Sequence, residues 1–487
     1  MYRMVFLALV GCGDAAIALD AGIAPPPDVR PDPFAGMFDS PGDFPHDNCT
    51  AGAFAAGFSR SEFWPELELR IEATGPLRAF VSVDRADVEA SHALASDDLF
   101  VRASSWNGSW KLRAIDICGV DADGTVHGSE LTCSEAELGM CAPKAFTASP
   151  LHRPAGETTS EHLVLLGELH GDWTGATRKV RVFENVAYLA GGADGLRIVS
   201  VELAAAPREL GHLQGPIRNL ADLELLRGLD GRRYVLAGGE PASQIIDVDD
   251  PANPQLVAEL AFAASSVTVD GTTGYLIDGT SSRVHAYDLS VPRRPKLISK
   301  YEPGGTAVWR DAFAANGILY LTDANGSGIH VVDFRETPGE LAHELAPQTT
   351  GHAAWLTTVA GRTLALDATT GSGSRLRVLD GTITSPTYLT TLGTFASREL
   401  VSLHDIVAIA NRVYVANRRD GIRVIDLDDP SKPVLAGYFN SWIEGTGSAS
   451  NVDGALGIDV DRSRGILYVA DATRGLLVLA GDAAIFP

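Results

Sequence analysis

Tyr414-Val-Ala-Asn, a short turn, and then Gly421-Ile-Arg-Val-Ile-Asp-Leu-Asp-Asp-Pro-Ser-Lys-Pro-Val-Leu-Ala decide the fold of this chain. Tyr, Val and Ile suit a pleated, half-buried surface. The Asp-Asp-Pro cluster is a turn signal that stops a strand. Proline cannot donate to a sheet ladder, so the two prolines belong in a connection rather than in a strand. The stretch therefore reads as strand, turn, strand, Pro-rich turn, strand. Nearly the same pattern stands at Tyr234-Val-Leu-Ala-Gly-Gly followed by Ile245-Ile-Asp-Val-Asp-Asp-Pro-Ala-Asn-Pro-Gln-Leu-Val. A third copy runs Tyr287-Asp-Leu-Ser-Val-Pro-Arg-Arg-Pro-Lys-Leu.

The repeat extends outward from these copies. Asp247, Asp288, Asp333, Asp380 and Asp426 mark five units, 41, 45, 47 and 46 residues apart. That period is the ~40–50 residues of a β-propeller blade. In three units the second proline follows the marker by seven residues. Two degenerate copies flank the five, Val186-Ala-Tyr-Leu-Ala-Gly-Gly with Leu196-Arg-Ile-Val-Ser-Val, and Ile466-Leu-Tyr-Val-Ala-Asp with Gly475-Leu-Leu-Val-Leu. The last copy stops after its third strand, at Leu479, while a spare strand, His162-Leu-Val-Leu-Leu-Gly-Glu-Leu-His, precedes the first. Residues 161–170 are expected to complete the last blade, because a closed ring hides sheet edges that would template aggregation. The expected fold is all-β, with a seven-bladed propeller over residues 161–482.

These units resemble the LVIVD-repeat propellers of bacterial surface and periplasmic proteins, through strands such as Gly421-Ile-Arg-Val-Ile-Asp-Leu. The resemblance is good around Asp247 and Asp426 and poor around Asp380. It implies a propeller and an exported location. It carries no shared chemistry, and fold alone does not give function.

The segment ahead of the repeats holds all five cysteines, Cys12, Cys49, Cys118, Cys133 and Cys141. Leu9-Val-Gly-Cys12 follows a short apolar run from Val5 to Val10, with Arg3 ahead of it. This resembles a bacterial lipoprotein signal, which implies cleavage before Cys12 and acylation of its thiol. Residues 1–11 would then be the signal, and residues 12–48 a lipid anchor with a Pro- and Asp-rich, extended tether. Gly13 rather than aspartate after the cysteine leans toward the outer membrane. Four cysteines remain, an even number that suggests two disulfides in one of three connectivities. Cys133–Cys141 and Cys49–Cys118 are the expected pairs.

Residues 49–148 read as a small β domain, sandwich-like and stapled by those bridges. Leu67-Glu-Leu-Arg-Ile-Glu-Ala alternates, and Trp106-Asn-Gly-Ser-Trp carries a tight-hairpin signal. Asp121-Ala-Asp-Gly-Thr brushes against a calcium-loop pattern through Asp121, Asp123, Gly124 and Glu130. The first ligand position would be Gly119, which has no side-chain oxygen, so a plain turn is the better reading.

Composition narrows the function classes. The net charge of −23 repels nucleic-acid phosphates and keeps the chain soluble. It also attracts divalent cations. No run approaches the ~20 apolar residues of a membrane-spanning helix, so membrane contact would be through the lipid alone. The sequence has no Ser-nucleophile pentapeptide, Walker loop, dinucleotide glycine pattern or His-Glu-x-x-His.

The richest polar constellation lies at the starts of the innermost strands, which should ring one mouth of a central channel. Trp309-Arg-Asp, Gly351-His, Leu403-His-Asp and Gly457-Ile-Asp bring forward Asp311, His352, His404, Asp405 and Asp459. Together they could bind a metal or polarise a substrate. Alternatively, they satisfy the backbone of neighbouring blades, as buried polar groups must. The expected function is a binding or scaffold module on the cell envelope, without a cofactor, for a protein or glycan ligand. The alternative is an envelope enzyme, dependent on a divalent cation, with its site at the channel mouth.

Overall fold

The computed structural model describes residues 31–45, 62–72, 78–83, 86–90, 92–95, 99–106, 109–215, 217, 219–325, 328–344, 350–371, 373–398, 400–443 and 453–487. Cys12 and Cys49, and with them the signal and most of the tether, lie outside the described residues. The chain divides into two compact units. One is built mainly from residues 1–61 and 67–149, and the other mainly from residues 150–447 and 451–487.

The N-terminal unit is built from antiparallel strands. Its larger sheet is a meander of five: His92–Ala95, Leu99–Trp106, Trp110–Val120, Val126–Ser134 and Lys144–Ala148. Phe34, Phe44, Phe100, Leu112 and Leu131 form a core in this unit. Trp106 and Trp110 face each other across the hairpin, with ring centroids 5.7 Å apart. Cys133 and Cys141 form a disulfide, and Cys118 is disulfide-bonded as well. The Asp121–Thr125 segment is a β-turn. Gly124 N–H donates to the Asp121 carbonyl at 3.0 Å, and Gly124 has φ +88°. Glu130 points to Arg113 at 3.1 Å, and Asp121 to His127 at 2.9 Å.

Among the described residues the second unit contains seven successive antiparallel sheets, each ordered from its first strand to its fourth. Sheet 1 is Lys179–Phe183, Val186–Ala190, Leu196–Ser200 and Arg208–Leu213. Sheet 2 is Asn219–Arg227, Arg233–Glu240, Ser243–Asp247 and Gln255–Leu260. Sheet 3 is Ser266–Asp270, Thr273–Ile277, Val284–Asp288 and Lys296–Tyr301. Sheet 4 is Trp309–Ala315, Ile318–Asp323, Gly328–Asp333 and Gly339–Glu344. Sheet 5 is Thr350–Val359, Arg362–Thr370, Leu376–Asp380 and Thr391–Phe395. Sheet 6 is Asp405–Ile409, Arg412–Ala416, Ile422–Asp426 and Val434–Phe439, with Ser160–Glu161 added at its outer edge. Sheet 7 is Ala455–Asp461, Ile466–Asp471, Gly475–Gly481 and Leu163–Leu169.

The first strands pack on one another in order, and that of sheet 7 packs on that of sheet 1. A separate apolar cluster fills each of the seven junctions. Between sheets 7 and 1 it holds Val180, Leu189, Tyr468 and Val478. Between sheets 6 and 7 it holds Tyr414, Val424, Ile458 and Leu477.

The marker aspartates explain the repeat locally. Each ends the third strand of its sheet, and its carboxylate accepts the N–H two residues on. These donors are Asp249, Ser290, Arg335, Thr382 and Asp428, at 2.7–3.1 Å. The side chain thus closes an Asx-turn that a hydrophobic residue cannot make. Arginines clamp four of the markers, as Arg232 does with Asp247 at 2.9 Å and Arg412 with Asp426 at 3.0 Å. Pro254, Pro295 and Pro433 each immediately precede a fourth strand, where the missing N–H costs no ladder bond. Around Asp380 a longer loop replaces this turn, held by Ser385 and Thr387 hydroxyls on the same carboxylate. That loop is why this copy is hard to recognise.

Leu163–Leu169 pairs antiparallel with Gly475–Gly481, running from Leu163 opposite Gly481 to Leu169 opposite Leu476. Just before it, Ser160 and Glu161 pair with Phe439 and Tyr438 of sheet 6. His162, at φ +60°, turns the chain from one sheet to the other.

Candidate functional site

Side chains alternate across a strand, so a first strand that alternates charged and apolar residues points its charges to one side. Lys179-Val-Arg-Val and Asp222-Leu-Glu-Leu do this. Lys179, Arg181, Glu224, Asp311 and Asp405 line a cavity of about 140 Å³, together with Phe313 and Trp355. The cavity is bounded by the first strands of sheets 1 to 6.

Lys179 is its electrostatic centre. Its ammonium lies 3.0 Å from Asp405 Oδ1 and 3.8 Å from Asp222 Oδ1. Burial alone would disfavour the charge, but these carboxylates overcome it and raise the ammonium above its ordinary range. Arg181 donates to Glu224 Oε1 from both Nε and Nη2, at 2.8 and 2.6 Å. Asp311 is different. Burial pushes its carboxyl up to about 7, Asp222 and Asp405 push in the same direction, and Lys179 only partly offsets them. Its Oδ1 accepts the Ser266 hydroxyl at 2.5 Å.

Three aspartates of the first strands share one bonding pattern. Asp222 accepts its own neighbour's N–H, from Leu223, and the N–H of Val267 in the next sheet, at 2.8 and 2.9 Å. Asp405 does the same with Ile406 and Ile458, at 3.0 and 3.1 Å. Asp459 does it with Val460 and Val182, at 2.9 and 2.6 Å, which joins sheet 7 to sheet 1. These carboxylates staple adjacent sheets. Burial raises Asp459 to about 6, against the pull of Arg181.

Of the five residues singled out from the sequence, Asp311 and Asp405 line the cavity, while His352, His404 and Asp459 are not in its lining. The His352 and His404 rings meet at a tilt of 45°, with ring centroids 4.3 Å apart. His404 Nδ1 bonds the Leu456 carbonyl of the sheet 7 strand at 2.6 Å. Burial holds both imidazoles well below the ordinary range, helped by Arg418 beside both and by His404 beside His352. His352 Nδ1 is buried without a hydrogen-bond partner among the described residues. Lys179, Arg181, Asp222 and Glu224 were missed. Their signal was present in the charged-apolar alternation of two first strands that carry no histidine.

The cavity can hold a small polar group. Its carboxylates outnumber its cations, and Asp311 can gain or lose a proton near neutral pH.

Among solved structures, the chain is similar to Raptor of Chaetomium thermophilum at 13% identity, with a TM-score of 0.51. That match covers 65% of this chain and 29% of the other. It is also similar to the computationally designed Ika8 protein, at 11% identity and a TM-score of 0.46, covering 64% of this chain and 98% of that one. The first likeness speaks to the fold alone. No curated protein matches the sequence. Residues 403–441, which run through sheet 6, match the family model described as the LVIVD repeat.

Proposed function

We propose that the seven sheets are the blades of one closed β-propeller, and that this propeller is a binding or scaffold module held on the cell envelope by a lipid on Cys12. The N-terminal unit would be a disulfide-stapled spacer, with Cys49 as the partner of Cys118. The observation that carries the binding role is the division of labour among the first-strand carboxylates. Asp222, Asp405 and Asp459 each accept a backbone N–H of an adjacent sheet, while Asp311 accepts a side-chain hydroxyl, that of Ser266, and lines an acidic cavity of side-chain size. Such a cavity suits a cationic or hydroxyl-rich group projecting from a protein or glycan ligand, since opposite charge steers encounter and fixes register.

Envelope attachment is tested by expressing the full chain in a Gram-negative host with labelled palmitate. Wild type should carry label and sediment with membranes, and C12S should carry none and move to the soluble fraction. Equal label in both would remove the lipid from the proposal. Binding is tested by passing envelope glycans and basic peptides over the immobilised chain. A ligand of the cavity must lose affinity in D311N.

A further inference from the structure

The third and fourth strands of each sheet pair with a bulge at a corresponding place, and in sheet 4 the bulge assembles three ligating side chains. His330 lies directly opposite His343, and Val332 lies opposite Glu340, so Leu341 is the extra residue. In an unbroken strand Glu340 and His343 would point to opposite faces. One extra residue reverses the alternation between them and puts both beside His330. Glu340 Oε1 lies 2.8 Å from His330 Nδ1 and 3.0 Å from His343 Nδ1. All three ligating atoms fall within 4.8 Å of one another.

The same three positions in sheet 1 are Arg197, Glu209 and His212, on the same register and the same bulge. There Arg197 answers the carboxylate at 3.0 Å. Sheets 5 and 6 also carry arginine at this place, Arg377 and Arg423. Sheet 4 keeps the glutamate and the histidine and replaces the built-in cation by a second imidazole. Two imidazoles and one carboxylate are a ligand set for a zinc-class ion, with a further coordination position left to solvent. Bond lengths of about 2.0–2.1 Å to zinc put tetrahedral ligands about 3.4 Å apart, near the 2.8 and 3.0 Å that separate Glu340 from the two imidazoles.

A second observation concerns His330 itself. Its side chain is 13% exposed, and its Nε2 is buried without a partner among the described residues. The Trp309 ring lies 4.8 Å away at 67°. With Nδ1 donating to Glu340, Nε2 is a lone pair with no donor. With Nδ1 on a metal, the proton moves to Nε2, where an N–H beside an aromatic ring is tolerated.

We propose that His330, Glu340 and His343 form a binding site for one divalent transition cation of the zinc class, on the outer strands of sheet 4 and separate from the central cavity. The outer position leaves Glu340 and His343 open to solvent, with side chains 34% and 53% exposed, so an ion can enter without opening the fold.

The test uses the full chain without a histidine tag, stripped by chelator and titrated with zinc by calorimetry, with cobalt as a spectroscopic substitute. H330R restores the residue type that sheet 1 carries at this place, so it should fold. Its melting temperature in chelator checks that. E340Q keeps shape and removes charge. H352A is the control for the distant histidine pair. Wild type and H352A should bind one zinc equivalent, and zinc should raise their melting temperature. H330R and E340Q should bind at least about tenfold more weakly, lose the tetrahedral cobalt absorption, and show no zinc-dependent rise in melting temperature. Zinc binding by H330R equal to that of wild type, or loss of binding in H352A instead, overturns the proposal. Wild-type binding no tighter than that of free histidine overturns it as well.

Discussion

At residue scale, the Lys179 ammonium lies 3.8 Å from Asp222 and 3.0 Å from Asp405, and its side chain is only 12% exposed. Removing one partner from a buried ionic cluster leaves the others uncompensated, a loss of about 3–5 kcal/mol. K179M should lose that much stability in urea denaturation at pH 7, and adding D405N should restore part of it, because the two sites couple. A loss below about 1 kcal/mol would mean that water, not Lys179, answers these carboxylates. Asp311 gives the opposite signature. Its folded value of about 7 lies above its ordinary 3.8. Between those values the folded state holds a proton that the unfolded state has lost, so this group lowers stability as pH rises from about 4 to about 7. D311N removes the effect. Relative to wild type, the variant should gain stability across that window, and parallel pH profiles would contradict the assignment. Asp311 and Asp405 were legible as inward-facing acids from their place at strand starts. Lys179 was not, because a lone lysine in a strand is usually a solvated one. Only the ring of first strands brings it within reach of carboxylates 43 and 226 residues away.

At element scale, Leu163–Leu169 is held by the ladder to Gly475–Gly481 and by one apolar face. Leu163 is buried, and Leu165 and Leu169 are half-buried, while Val164 and Leu166 face solvent. One full and two partial burials amount to roughly 4–6 kcal/mol. Replacing residues 161–169 by a Gly/Ser segment of equal length should cost about that much. It should also leave Gly475–Gly481 as an open edge, which light scattering will register as aggregation. A variant that melts with wild type and stays monomeric would separate this strand from the stability of sheet 7. The alternation of Leu163–Leu169 made the strand visible in the sequence. The pairing of Ser160–Glu161 with sheet 6 was not visible, because two polar residues carry no periodicity. Neither was the lead-in contact of Glu157 with Arg423, at 2.8 Å, which joins residues far apart in the chain.

At the scale of the whole molecule, the acid response follows from the aspartates that end strands and cap turns. Asp247, Asp278, Asp288, Asp333 and Asp429 are all held below the ordinary carboxylate range. Side-chain bonds from Ser290, Arg335 and Ser431 lead for Asp288, Asp333 and Asp429. Burial opposes the shift most strongly at Asp247 and Asp278, where the bonds from Arg232, Thr280 and their neighbours together outweigh it. Groups lowered in the folded state stabilise it above about 3.8, and that stabilisation is lost as pH falls through their folded values, about 2 for Asp278 and Asp333. The urea midpoint should therefore drop steeply between pH 4 and pH 2. A flat profile there would mean that these turn carboxylates contribute little. By itself the sequence determined the repeat, its period and its turn chemistry, because hydrophobic alternation, Asp at a strand end and Pro before the next strand act within a few residues. Only the tertiary structure decided which charges meet. The acidic cavity gathers residues from six sheets, and the His330–Glu340–His343 cluster depends on one bulge that turns a side chain to the other face. Both are set by the packing of strands rather than by neighbours along the chain.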